Sequence, residues 1–141
     1  MSHGESISAL IGRCILAWFF LALTYRYAQD WSDTTVLLAM KDVPMPSAML
    51  LGGLMLNVLG SISLLLGFQA RTGALILLLV TLGATFAVYD YWTLSVSAAR
   101  EEAFDLFARN IAIAGGLLLL IGTGPGKFAI DNRLGAASHK A

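Results

Sequence analysis

Six residues carry the groups best suited to recognising a ligand: Tyr25, Tyr89, Asp90, Trp92, Arg109 and Asn110. They lie in TYRYAQDW, VYDYWTL and FARNIAI, three stretches at the ends of long apolar runs. Aromatic rings stack on a flat head group, Arg109 and Asn110 donate to a carbonyl, and Asp90 supplies a titratable carboxylate. Asp90 and Arg109 stand at facing ends of consecutive runs and are expected to pair. Arg13 and Asn57 are secondary candidates because each is polar inside an apolar run. A cation in hydrocarbon costs about 2.5–3.5 kcal/mol or more on insertion scales. Arg13 therefore either extends its stem to the near interface or turns inward to an amide, a carbonyl or a bound head group. For Asn57 the first reading is an interhelical hydrogen bond.

Other chemistries lack residues. Serines are scattered and no interior histidine is available, so no nucleophile–base pair is visible and no catalytic residue is assigned. Cys14 is the single cysteine, which makes no internal disulfide, CxxC pair or iron–sulfur site. His3 and His139 are next to the two chain ends, so neither a mid-membrane haem nor a zinc site is expected.

Composition says what must hold these groups. Of 141 residues, 57% are hydrophobic and 13% charged, with mean hydropathy +0.75. Soluble domains average roughly 45–50% apolar and ~25% charged. Nine basic and nine acidic residues cannot cover a soluble domain of this size, and zero net charge excludes a nucleic-acid binder that works by positive charge. The expected fold is an all-α integral membrane protein, a four-helix bundle with spans at about 7–25, 48–68, 74–91 and 108–123. Period-two alternation is missing, which disfavours a β-barrel. The leader MSHGES lacks a positive region, so the first run is expected to be a span and not a cleaved signal.

The connections differ in kind. GFQARTG makes the second and third spans a tight hairpin. SDTTVLLAMKDV reads as a short interfacial helix capped by Ser32 or Asp33 and ended before Pro44 and Pro46. SVSAAREEAFDLFAR extends the fourth helix into water, with Glu101, Asp105 and Arg109 at i, i+4 spacing. The polar tail 124–141 is expected to be loosely held. Gly53, Asn57, Gly60 and Gly67 share one face of the second span, and Ala108, Ala112, Gly115, Leu119 and Gly122 recur along the fourth. Both stripes read as helix-packing faces. Tyr25, Tyr27, Trp31, Tyr91 and Trp92 read first as an aromatic belt.

An even span number puts both termini on one side. Arg13, Arg71, Lys127, Arg133 and Lys140 belong to that side and Arg26, Lys41, Arg100 and Arg109 to the other. The side richer in Lys and Arg is expected to be cytoplasmic.

The same segments resemble the DoxX/DoxD family of small four-span membrane proteins. The matching pieces are GRCILAWFFLAL, DVPMPSAM, NVLGSISLLLGFQARTGALIL, ATFAVYDYW and RNIAIAGGLLLLIGTGPGKFAID, over about residues 11–131. The resemblance implies a four-helix membrane bundle of the bacterial inner membrane. Some members are subunits of thiosulfate:quinone oxidoreductase and others associate with redox-stress complexes. Two positions depart from the pattern: Asn57 stands where the family often has glutamate, and Tyr89 where it often has histidine before Asp-aromatic-Trp. Both changes remove proton-transfer groups. The resemblance thus implies an accessory subunit of a larger respiratory or photosynthetic membrane redox complex, without an intrinsic cofactor and with a bound quinone or lipid. A quinone-reactive subunit and, less favoured, a small-molecule or lipid carrier are the alternatives.

Overall fold

The structure is a computed structural model that describes residues 2–138. His139 lies outside the described residues. Helix α1 (His3–Gln29) opens on a capping box in which Ser2 Oγ accepts from the Glu5 amide and the Glu5 carboxylate accepts from the Ser2 amide. Helix α2 (Trp31–Met40) follows after the single residue Asp30. It is the expected short helix, but Ser32 and Asp33 lie in its first turn and Asp30 makes no side-chain cap. Helix α3 (Pro46–Leu66) begins on a proline, whose missing N–H is harmless in a first turn. Helices α4 (Ala70–Val88), α5 (Ser97–Thr123) and α6 (Ile130–Ser138) complete the chain, with a single 3-10 turn at Tyr91–Thr93.

Four of these helices are long and apolar enough to cross a membrane. The class is therefore an all-α, four-span membrane protein. In hydrocarbon the backbone must bond within each segment, and apolar side chains carry no penalty for facing outward. Large exposed residues such as Trp18, Leu59, Leu79 and Leu119 accordingly ring the bundle.

The inward faces advance in steps of three and four residues. Arg13, Ala17 and Phe20 are buried on α1; Leu50, Leu54, Asn57, Ser61 and Leu64 on α3; Ala70, Ala74, Leu77, Thr81 and Thr85 on α4; Asn110, Ala114, Leu117 and Leu120 on α5. That spacing returns to one face of a helix every seven residues. Helix α1 packs on α3, α3 on α4, and α4 on α5. The apolar centre is contributed by all four, with Phe20, Leu64, Leu77 and Leu117 at most 2% exposed.

Small residues act differently on two helices. Gly60 is the close approach between α3 and α4: an added Cβ would lie 2.6 Å from Leu77 Cγ and 3.2 Å from the Gly73 carbonyl. The stripe on α5 is a correction to the expected packing face. Ala108, Ala112, Gly115, Leu119 and Gly122 all face outward, and nothing lies within 4 Å of a Cβ built on Gly115 or Gly122. The face that packs starts at Asn110, where a polar group needs a partner.

The tail is the second correction. Gly124, Pro125, Gly126 and Ala129 are buried, Asn132 donates to the Gly126 carbonyl at 2.7 Å, and α6 follows. The chain beyond α5 folds back across the α3–α4 hairpin because that hairpin has backbone groups to satisfy, as described below.

Replacing Gly60 by leucine is expected to destabilise the bundle by about 1–3 kcal/mol, the usual cost of overpacking. Leu65→Ala, on the outward face at 42% exposure, should cost about 0.5 kcal/mol or less. Reversible unfolding in mixed micelles compares the two, and equal tolerance would mean the α3–α4 contact is not close.

Candidate functional site: two cavities and a buried arginine

The polar cavity lies where α1, α2, α4 and α5 meet at one end of the bundle. It has a volume of about 290 Å³ and is lined by Arg26, Tyr27, Asp30, Asp33, Tyr89 and Arg109, with leucines between them. Tyr27 and Tyr89 join α1 to the end of α4 through their hydroxyls, 2.8 Å apart. Arg109 reaches the cavity from α5. Its guanidinium donates to Asn110 Oδ1 at 3.3 and 3.4 Å and rests 5.5 Å from the Phe19 ring centroid. Two cations and two carboxylates line the cavity, so their charges balance.

Of the six leading candidates, the structure brings together Tyr89 and Arg109. Asn110 turns into the bundle, where its Nδ2 donates to Thr85 Oγ1 at 3.0 Å, and Thr85 donates to the Thr81 carbonyl at 2.6 Å. It ties α5 to α4 and lines neither cavity. Tyr25 is 66% exposed and accepts from Gln29. Trp92 packs edge-on to Tyr91 and Phe107, with centroids 5.3 and 5.9 Å away. The expected Asp90–Arg109 pair is not formed. Asp90 instead pairs with Lys41 from the α2–α3 loop and accepts from Thr93 Oγ1 at 3.0 Å. Lys41 comes from the connection that crosses this end, whereas Arg109 is held by Asn110 and Phe19.

Tyr27, which the sequence places in the aromatic belt, instead turns toward the cavity. The signal that places it inward is its register: Arg13, Ala17, Phe20, Thr24 and Tyr27 run four-three-four-three along one face of α1. Lys41 has no such signal, since its partner is fixed by the path of a loop.

The opposite end of the bundle resolves the two readings of Arg13. Its side chain is 1% exposed and does not extend to the interface. Nη1 donates to the Leu64 carbonyl at 2.8 Å, in the last turn of α3. Nε and Nη2 are buried without a hydrogen-bond partner among the described residues. The carbonyls of a helix's last turn have no intrahelical donor and lie at the negative end of its dipole, so a guanidinium is favoured there. Gly67 is required in the turn on two counts. Its φ is +68°, and an added Cβ would collide with Arg13 Nη1 and sit 2.5 Å from Ala129 Cβ.

The start of α4 is treated reciprocally. Asp131 accepts from the amides of Gln69 at 2.6 Å and Ala70 at 2.9 Å, while its own amide donates to the Gly67 carbonyl at 3.0 Å. Ser63 Oγ donates to the carbonyls of Phe68 and Gln69 at 2.6 and 3.1 Å. A cation from α1 and an anion from the chain after α5 thus close the two facing helix ends of the hairpin.

The second cavity is apolar and larger, about 420 Å³, between α3 and α4 and under α2. Tyr27 forms part of its wall as well. Gly52, Gly53 and Gly83 line it, and nothing lies within 4 Å of a Cβ built on any of them. Asn57 also lines it, 6% exposed, with its Oδ1 buried and without a hydrogen-bond partner among the described residues. Among the described residues the interhelical hydrogen bond expected for Asn57 is not made, and Thr81 Oγ1 on α4 likewise has no partner.

Four apolar spans and a hairpin clasped at both helix ends define the class as a four-span membrane protein. The model of the DoxX family matches residues 8–90, and the chain belongs to that family. It is similar to Inner membrane protein YphA of Escherichia coli (strain K12), 29% identical over 124 residues and 88% of each chain. Inner membrane protein YqjF of the same organism is 28% identical over 134 residues, 95% of this chain and 97% of the relative. Surfeit locus protein 4 homolog of Schizosaccharomyces pombe is 28% identical over 125 residues, 88% of this chain and 36% of the relative. No solved structure matches. The matched region ends at Asp90, so Arg109 and Asp131 lie beyond it.

Removing the Asp131 carboxylate with alanine is expected to cost about 1–2 kcal/mol, the range for losing a helix N-cap. Arg13→Met should be milder than Arg13→Ala, because the methionine stem keeps the packing while leaving no buried cation. Thermal unfolding in mild detergent checks both. An Asp131→Ala variant as stable as the parent would mean the tail does not clasp the hairpin.

Proposed function

We propose that this protein is an accessory membrane subunit of a larger redox complex and that its polar cavity receives a quinone head group. The observation that carries this is the Tyr27–Tyr89 pair beside Arg109. Whichever phenol donates to the other, the acceptor keeps its own O–H, and that hydrogen is free to reach a ligand carbonyl. The Arg109 guanidinium adds further donors, and a neutral quinone suits a cavity whose charges balance. The chain contributes no nucleophile–base pair or proton-relay histidine at this point. Its part is to hold the head group, with electron transfer carried by a partner that bears the redox centre. The locale that goes with this reading is a bacterial inner membrane, since two relatives carry that description in their names.

Purification from native membranes in mild detergent, followed by solvent extraction, tests the reading. A cofactor-bearing partner and bound quinone should copurify. Tyr89→Phe and Arg109→Gln should each lower recovered quinone several-fold, while Arg133→Gln, on the tail, should not. Wild-type protein that brings down neither quinone nor a redox partner would overturn it.

The hairpin, the start of α1 and the tail share one end of the bundle through Arg13 and Asp131. We place that end in the cytoplasm, on the Lys and Arg distribution. Reporter fusions at position 71 and after position 138 should both report cytoplasm, and a fusion at position 41 the opposite side. The reverse pattern would invert the orientation.

A further inference from the structure

We propose that the apolar cavity between α3 and α4 is a binding site for a neutral, hydroxyl-bearing membrane lipid, whose O–H donates to Asn57 Oδ1. The inference is independent of the quinone reading and concerns a different cavity. Its volume of about 420 Å³ is within the range of roughly 300–1,000 Å³ usual for small-molecule sites.

Three features define the ligand. No charged side chain lines the cavity, so a phosphate, carboxylate or ammonium would be desolvated there without compensation. The ligand is therefore neutral. Its bulk is hydrocarbon, because apart from Asn57 and Tyr27 the wall is aliphatic or glycine, and the Tyr27 hydroxyl lies at the polar end, hydrogen-bonded to Tyr89. Its polar group is a donor, because Asn57 lines the cavity and its Oδ1, an acceptor with no partner among the described residues, comes to face the ligand on a turn of the carboxamide. A buried unpaired amide oxygen costs about 1–3 kcal/mol, which a ligand hydroxyl recovers. A hydroxyl also offers an acceptor to the carboxamide N–H₂, whereas an ether or an oxidised quinone offers no donor to Oδ1.

The glycines supply the room. Gly52, Gly53 and Gly83 flank the cavity with open space where side chains would stand, so the volume is not residual looseness between large residues. Asn57 lies eleven residues into the 21-residue α3, near mid-span. Gly52, Gly83, Met49 and Leu56 are themselves exposed on the outer surface of the bundle. The ligand thus enters sideways from the bilayer, without crossing the polar end.

The probe is a diazirine analogue of farnesol, a chain alcohol of the stated class, added to the full-length protein in lipid nanodiscs and mapped by peptide mass spectrometry. Labelling should fall on α3 and α4. Farnesol should compete about five- to tenfold better than farnesyl methyl ether, and ionised farnesoic acid should compete least. Asn57→Leu should weaken farnesol by about the same factor and abolish its advantage over the ether. Gly83→Leu adds a side chain into open space, so it should fold and lose labelling; Gly53→Leu serves the same purpose from α3. Equal competition by alcohol and ether in the wild type would overturn the hydroxyl assignment. Undiminished labelling in either folded glycine variant would overturn the site. Loss of labelling in Tyr89→Phe with Asn57→Leu unaffected would move the ligand to the polar cavity and also overturn it.

Discussion

The hairpin between α3 and α4 faces a constraint that shapes much of the molecule. A helix that ends inside or beside a membrane exposes carbonyls at one terminus and amides at the next, and the bilayer offers them little water. Here three residues separate the two helices, Gly67, Phe68 and Gln69, and two of them adopt positive φ to make the turn. Local hydrogen bonds cannot close both ends in so short a connection. The missing partners come from afar: Arg13 from α1 covers the last turn of α3, and Asp131 from beyond α5 covers the first amides of α4. The signs match the helix dipoles at both ends. That pair of contacts sets the depth of α1 against α3 and draws the tail across the bundle.

At the other end the helices are tied by different chemistry. Hydroxyls join α1 to α4, an amide–threonine chain joins α4 to α5, and the Lys41–Asp90 pair holds the loop after α2. The Lys41–Asp90 pair is half-buried, so its worth is more in fixing geometry than in net stability. The polar cavity opens among these ties, and the apolar one begins on the far side of Tyr27.

Span number and helical class were legible because apolar runs of that length admit few alternatives. The inward face of α1 was also legible, through the four-three recurrence from Arg13 to Tyr27, although a polar residue heading the series favours an interfacial reading when taken singly. Asp131 was not legible. It stands 61 residues after Ala70, and nothing near it in sequence marks it as a cap for another helix. Asp90 failed for a related reason: Arg109 was the nearest cation by span order, but Lys41 was brought over by a loop. The small-residue stripe on α5 misled because close approach is governed by which face the polar anchor Asn110 selects. Glycine spacing alone does not select it. The cavities could not be read at all, since an empty volume depends on side chains from four elements at once.

The clasp has a consequence for how the chain is made. Helices emerge from the ribosome in order, so α3 and α4 are complete before Asp131 has been synthesised. During that interval Arg13 is already present to cover the α3 carbonyls, while the α4 amides have no acceptor. The hairpin therefore matures in two stages, with its carbonyl side closed early and its amide side left open until Asp131 has been made. A chain released before residue 131 would carry all four spans and yet keep that helix end bare, a defect that a count of spans would miss.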